Sequence, residues 1–164
     1  MVIILMGVSG CGKTTVGELL AKKLSLPFFD ADDFHPVENV KKMQSGMPLN
    51  DDDRKPWLDE LARQIKKWNR NDGAVLACSA LKEKYRQILR GNSNREDVQI
   101  VYLKGTKDLI AERLKQRSGH YMPPELLDSQ FAELEEPDRA ITVSINNNPE
   151  NIAQKIINHL DVAR

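Results

Sequence analysis

Only two cysteines, Cys11 and Cys78, occur among 164 residues. That is too few for a disulfide framework and fits a reducing compartment. There is no excess of either charge. Lys plus Arg number 24 and Asp plus Glu number 24, so the formal net charge is zero. A balance of this kind excludes a nucleic-acid binder held by bulk charge, and it excludes a basic membrane-surface protein. Long apolar runs are missing too. The opening run, Met1 to Met6, is broken by Gly7, far short of a membrane span or a signal core. No Lys or Arg precedes it, so the expectation is a cytoplasmic protein with no nucleic-acid or membrane partner. Internal repeats and low-complexity tracts are also lacking. What remains is 40% hydrophobic and 29% charged residues, an ordinary globular composition. At roughly 150 residues per domain, the expectation is one domain spanning 1–164.

Hydrophobic patterning alternates between short strands and amphipathic helices. Val2 to Met6 is a continuous apolar run, as in a parallel strand buried on both faces. Lys13 to Leu24 carries Val16, Leu19, Leu20 and Leu24 on one helical stripe. Leu26 to Phe29 reads as a second strand and Asp30 to Pro36 as a polar loop. Val37 to Ser45 reads as a short helix ending at Gly46. A longer helix enters at Asn50 to Arg54, with Trp57, Leu58, Leu61, Ile65 and Trp68 as its core stripe. Ala74 to Cys78, Val98 to Leu103 and Ala140 to Ile145 read as three more strands. Between them, helices are expected over Lys82 to Arg90, from Thr106 to about Arg117, and over Pro124 to Leu134. Thr106 supplies an N-cap. Asn148-Pro149 starts a last helix, with proline at its first position. This order predicts an α/β fold with a five-stranded parallel sheet flanked by helices. Ligands on such sheets sit at the carboxyl ends of the strands.

The segment Gly7-Val8-Ser9-Gly10-Cys11-Gly12-Lys13-Thr14 matches G-x-x-x-x-G-K-[ST] between a buried strand and a helix. Glycines let the backbone wrap phosphate oxygens, and loop amides with the helix N-terminus direct partial positive charge at them. Lys13 is expected between the β- and γ-phosphates of ATP, with Thr14 as a Mg²⁺ ligand and Thr15 completing the cradle. Cys11 reads as a small residue that fits the loop.

The class of phosphate-loop protein follows from where the acids fall. No guanine-reading Asn-Lys-x-Asp occurs, and the strand Ala74 to Cys78 ends in Cys-Ser rather than in an acid. The carboxylates follow the second strand instead, in Asp30-Ala31-Asp32-Asp33. Phosphoryl transfer to a hydroxyl needs a carboxylate to orient it and accept its proton. Asp32 is the candidate base, and Asp30 the candidate for the Mg²⁺ outer shell. Arg113 and Arg117 lie four residues apart on one helix face before a lid-sized loop, Ser118 to Pro124. Both are candidate nucleotide contacts, and Arg117 is the candidate for neutralising charge on the transferring group. The lid is expected over about 113–136 and the acceptor-binding segment over about 32–72.

The chain resembles the P-loop gluconate kinase family from Val2 to about Pro137. The phosphate loop carries part of the likeness, as does Asp30-Ala31-Asp32-Asp33-Phe34-His35-Pro36. The most specific stretch is Met43 to Leu58, with Gly46-Met47-Pro48-Leu49-Asn50-Asp51-Asp52-Asp53-Arg54. Cys78-Ser79-Ala80-Leu81-Lys82, Tyr85-Arg86, Gly119-His120-Tyr121-Met122 and Leu127 to Phe131 complete it. Ala31, Thr14 and Tyr121 stand where glycine, serine and phenylalanine are common in that family, and each keeps the needed chemistry. The resemblance implies a nucleotide-kinase-like fold with a small lid. It further implies transfer from ATP to the 6-hydroxyl of D-gluconate, Mg²⁺ dependence and a homodimer.

Gluconate is an open-chain polyol with one carboxylate. Arg54 and Arg86 are candidates for bidentate carboxylate contacts. Asp32, Asp33, His35 and Gln130 are candidates for the hydroxyls, and Lys82 adds charge near the phosphoryl path. His120, in the matched lid loop, joins the acceptor set. Asp51-Asp52-Asp53 reads first as favourable charge at a helix start. Two alternatives stay open: another small-molecule kinase, for shikimate or a nucleoside monophosphate, and a nucleotide-binding module without turnover.

Overall fold

In the computed structural model of the chain, residues 1–116 and 124–162 are described. Val2–Met6 form β1, with every side chain shielded from solvent. Such a strand belongs at the centre of a sheet covered on both faces. It pairs in parallel with β3 (Ala74–Ala77) on one side and β4 (Val98–Lys104) on the other. Adding β2 (Phe28–Asp30) and β5 (Ile141–Ser144) gives the order β2-β3-β1-β4-β5, all parallel.

The period-two alternation of β1 sorts its side chains between two cores. Val2, Ile4 and Met6 meet Leu58, Leu61 and Ile65 from α3 (Asp51–Arg70), together with Leu89 from α4 (Glu83–Arg90). Ile3 and Leu5 meet Val16 and Leu20 from α1 (Lys13–Leu24), along with Ile152 and Ile156 from α7 (Pro149–Val162). The remaining helices are α2 (Val37–Gln44), α5 (Lys107–Gln116) and α6 (Pro124–Glu133). The apolar stripe of α3 is buried where the heptad-like spacing placed it: Trp57, Leu58, Leu61, Ile65 and Trp68. Its start is fixed by a capping box, in which Asn50 Oδ1 accepts from the Asp53 N–H at 2.8 Å and Asp53 Oδ2 from the Asn50 N–H at 3.0 Å.

Gly17 shows how closely α1 lies on the sheet. A Cβ there would sit 2.5 Å from a ring carbon of Phe28. Gly17→Val is therefore expected to destabilise the fold by about 1–3 kcal/mol through overpacking, measured as a lower midpoint in urea unfolding.

One local expectation is corrected. Ala31–Phe34, read from the sequence as part of a polar loop, forms a 3-10 turn. The Asp30 carboxylate accepts the Asp32 N–H at 2.9 Å, and buried Ala31 gives its carbonyl to Trp57 Nε1 at 2.7 Å. These two bonds supply the partners a short turn needs.

The connections set the position of a site. The chain leaves β1 through α1 toward the β2 edge, and leaves β3 through α4 toward the β4–β5 edge. α1 packs on one face of the sheet and α4 on the other, so the exits of β1 and β3 border a crevice at the carboxyl end of the sheet. No helix among the described residues is long and apolar enough to cross a membrane.

Candidate active site

The phosphate loop, residues 7–12, leaves β1 at this crevice. Its base is tied to the exit of β3 by the Gly7 N–H, which donates to Ser79 O at 3.2 Å. Gly12 ends the loop with φ +96°, a left-handed conformation that costs glycine little. No side chain caps the N-terminus of α1, and its first turn holds no acid. Those first amides are free to face an anion, and the helix dipole favours one there. Lys13 folds over the loop, donating to Gly7 O at 2.9 Å and Val8 O at 3.2 Å. Neutral carbonyls are weaker partners for an ammonium than phosphate oxygens, so this lysine is poised to exchange them. Thr14 and Thr15 are exposed on the first turn of α1. Cys11 is fully buried and packs against Gly7, where a Cβ would lie 2.7 Å from its Sγ. Its role in the loop is packing.

Asp30, Asp32 and Asp33 lie at the carboxyl end of β2 in the same crevice. The Asp32 side chain is 83% exposed. Its carboxyl is nonetheless held above the ordinary carboxylate range. Partial desolvation by the surrounding protein contributes most, followed by repulsion from Asp30, with Lys13 pulling the other way and Asp33 adding repulsion. Lys13 and Asp32 therefore feel each other across the cleft.

His35 is fixed by three neighbours. Its ring stacks on Trp57 with centroids 4.2 Å apart and planes 14° from parallel. Asn39 Nδ2 donates to Asp53 O at 2.9 Å, and also meets His35 Nδ1 at 3.2 Å. Nδ1 is then an acceptor, which leaves the ring proton on Nε2. Nε2 faces Asp32 Oδ1 at 3.9 Å. Burial, and then the charge of Arg54, push the imidazole below its ordinary pKa. His35 is a neutral hydrogen-bonding group here.

Arg54 projects from the first turns of α3 toward α4. Its Nη1 donates to Tyr85 Oη at 2.8 Å, and Tyr85 Oη donates in turn to Asp51 Oδ1 at 2.5 Å. Lys82 and Lys84 stand 5.7 and 5.8 Å from the centroid of the Tyr85 ring, with the Arg54 guanidinium at 5.5 Å. Asp51, bonded by Lys84 and Tyr85, is pulled down to about 2. Glu133 approaches Arg54 at 4.0 Å. Three cations thus share two carboxylates, a surplus suited to one more anionic group. The sequence offered Asp51 as a helix-start charge. The structure adds its grip on Tyr85.

Two expected acceptor ligands have other partners. Arg86 is 1% exposed. Its Nη1 donates to Ala80 O at 2.7 Å, its Nη2 to Glu135 O at 2.8 Å and its Nε to Glu83 at 3.1 Å. Every guanidinium nitrogen is used, so Arg86 is removed from the carboxylate-binding set. It clamps the β3–α4 turn, where Ala80 adopts φ +44°. Gln130 also has both amide atoms occupied, by Ser9 of the phosphate loop. Arg113 donates to Ile145 O and lines a cleft of about 240 Å³ with Gly10, Gly12, Thr15 and Pro149. Arg117 and His120 lie outside the described residues. The parts that sequence reasoning missed are Tyr85, Ser9 as a partner of Gln130, and Glu135. Their contacts join distant positions, and no local spacing signals them.

Comparison with known proteins identifies relatives along nearly the whole chain. The family model for shikimate kinase matches residues 9–161. The thermoresistant gluconokinase of Escherichia coli K12 is 47% identical over 138 residues, covering 83% of this chain and 77% of that protein. The gluconokinase of Gluconobacter oxydans is 43% identical over 164 residues, covering 96% and 89%. The crystal structure of a gluconokinase from Sinorhizobium meliloti superposes with a TM-score of 0.87 at 38% identity, covering 99% of this chain and 92% of that one. A phosphate loop facing an acidic turn across a parallel sheet, in a chain that shares this much sequence along nearly its whole length, places the protein in the gluconokinase family of P-loop kinases.

Proposed function

We propose that the protein transfers the γ-phosphoryl group of ATP to the 6-hydroxyl of D-gluconate, giving 6-phospho-D-gluconate and ADP. The observation that carries the mechanism is the place of Asp32: it follows the carboxyl end of β2, exposed to solvent, with His35 at 3.9 Å and the charge of Lys13 within reach. Asp32 orients the terminal hydroxyl and takes its proton as the bond to phosphorus forms. Lys13 and the amides at the start of α1 hold the phosphates and stabilise the charge that develops on them. Neutral His35 and exposed Asp33 meet acceptor hydroxyls. Arg54 and Lys82 meet the acceptor carboxylate. Arg113 and Arg117 contact the nucleotide.

The donor set suits Mg²⁺ arriving with the nucleotide. Thr14 offers an exposed hydroxyl and Asp30 a carboxylate. Among the described residues, no group of three or more His, Cys, Asp or Glu could form a cage made of protein alone. Mg²⁺ commonly takes one or two protein oxygens and completes its shell with water and phosphate. Bound there, it would neutralise charge on the β- and γ-phosphates. A homodimer belongs to the same proposal, and light scattering in solution tests it.

ADP release, coupled to a spectrophotometric readout, is measured with D-gluconate, shikimate and nucleoside monophosphates in turn. Turnover with gluconate alone is expected. Saturating gluconate that gives no ADP above the ATP-only background would overturn the proposal. Shikimate or a nucleotide as the preferred acceptor would replace it with one of the alternatives.

Tyr85→Phe probes the acceptor side. It removes the oxygen that receives Arg54 Nη1 and bonds Asp51, and leaves the ring under the three cations. The KM for gluconate is expected to rise about tenfold, one charged hydrogen bond's worth, with the KM for ATP unchanged. Steady-state kinetics with each substrate varied in turn checks the split.

A further inference from the structure

Gln130 lies in α6, and its carboxamide makes two hydrogen bonds, both to one residue of the phosphate loop. Oε1 accepts the Ser9 N–H at 2.7 Å, and Nε2 donates to Ser9 Oγ at 2.9 Å. A carboxamide matches this pair because it carries an acceptor and a donor side by side. The next loop residue is held from α5: a Cβ on Gly10 would lie 2.9 Å from Leu114 and 3.2 Å from Ile110. Just beyond the same C-terminal end of α6, Glu135 is fastened to the acceptor side. Its N–H donates to Leu81 O at 2.8 Å, its Oε1 accepts the Glu83 N–H at 2.8 Å, and its carbonyl accepts from Arg86 Nη2 at 2.8 Å. Glu83 opens α4, the helix that carries Tyr85. The last turn of one helix thus braces the phosphate loop, and the residues that follow it directly brace the acceptor-side turn.

We propose that Gln130 acts on phosphoryl transfer through Ser9, as a positioning residue: its two-bond clasp holds the phosphate loop in register with the helix whose following residues brace the acceptor side. The proposal replaces the sequence expectation that Gln130 meets an acceptor hydroxyl, since both its amide atoms are engaged by the loop. It rests on the phosphotransfer reading above. Without the clasp, the loop's first turn loses a side-chain partner for its backbone and for its hydroxyl. The amides that follow it are then less well set for phosphate.

The test compares Gln130→Met, which keeps length and loses both bonds, with Ser9→Ala, which loses only the bond to Oγ. Melting temperatures establish that each variant folds. If Gln130→Met does not fold, Ser9→Ala carries the test alone. Affinity for a fluorescent ADP analogue is titrated without acceptor, so the loop is read even if gluconate proves to be the wrong substrate. Gln130→Met is expected to weaken the analogue about tenfold, as two lost hydrogen bonds with partial compensation imply. It should lower kcat and leave the KM for gluconate within about twofold. Ser9→Ala should shift the same constants in the same direction by less, and the double variant should be no worse than Gln130→Met. A raised gluconate KM with unchanged analogue affinity in Gln130→Met would make Gln130 an acceptor ligand and overturn the proposal. So would unchanged nucleotide affinity and kcat in a folded Ser9→Ala.

Discussion

Replacing Lys13 with alanine is expected to lower kcat by about 10²–10³-fold or more, the scale of losing one preorganised charge-stabilising donor, and to raise the KM for ATP as well. Both constants move because the ammonium serves the ground state and the transition state. Its present partners, Gly7 O and Val8 O, are neutral carbonyls of its own loop. Bound phosphate offers charged oxygens in their place, and the charge grows on those oxygens as the γ-phosphoryl departs. The fold should survive, since Lys13 sits at the first position of α1 and contributes nothing to either core. Initial-rate kinetics and a thermal melt together check this. A variant with wild-type kcat would remove Lys13 from the chemistry.

Asp32→Asn is expected to separate the two substrates. Asparagine keeps the size of the side chain and cannot accept the hydroxyl proton. The kcat should fall by about 10²–10⁴-fold, the range for a lost general base, with nucleotide affinity close to wild type. Removing the Asp32 charge relieves Lys13 of a neighbouring carboxylate, so nucleotide affinity has no electrostatic reason to drop. The pH dependence carries the same signature. Asp32 works as a base only when ionised, and its pKa is raised in the folded protein by desolvation and by Asp30. Activity is therefore present at higher pH and lost as pH falls, with the acid limb of kcat/KM above the ordinary carboxylate range. His35 is pushed below 6.5, the ordinary imidazole value. It stays neutral through the neutral range, so it adds no limb near its usual pKa. A pH–rate profile of wild type beside Asp32→Asn tests both statements.

The fold was legible where local pattern and burial agree. The uninterrupted run Val2 to Met6 reads as a central strand, and the structure buries it on both faces. The spacing of Trp57, Leu58, Leu61, Ile65 and Trp68 reads as one helix face, and that face is in the core. Thr106 caps α5 through the Leu109 N–H at 3.2 Å, and Asn148 caps α7 through the Asn151 N–H at 2.8 Å, as short-range chemistry suggested. Strand order was less accessible, because it depends on which edge each crossover chooses.

The site divides along the same line. Candidates at a strand end or a helix start do come near one another: the charges of Asp30, Lys13 and Asp33 reach Asp32, His35 faces Asp32 at 3.9 Å, and the charge of Arg54 reaches His35. Arg86 and Gln130 looked equally apt by residue type. Their partners, Glu135 and Ser9, lie 49 and 121 residues away, and only the assembled sheet brings them together. A buried arginine with three internal partners and an exposed arginine awaiting a carboxylate are identical as letters. Burial distinguishes them, and burial is a property of the fold.

The most direct test follows the phosphorus atom itself. Wild-type protein is incubated with ATP, Mg²⁺ and D-gluconate, and the product is examined by phosphorus NMR with proton coupling. One new phosphomonoester signal is expected, split into a triplet by the two protons on C6 and growing in step with ADP. The same mixture with Asp32→Asn should show almost none. A doublet, which places the ester on a secondary carbon, or free phosphate in place of an ester, would contradict an aspartate that readies the terminal hydroxyl for the γ-phosphorus.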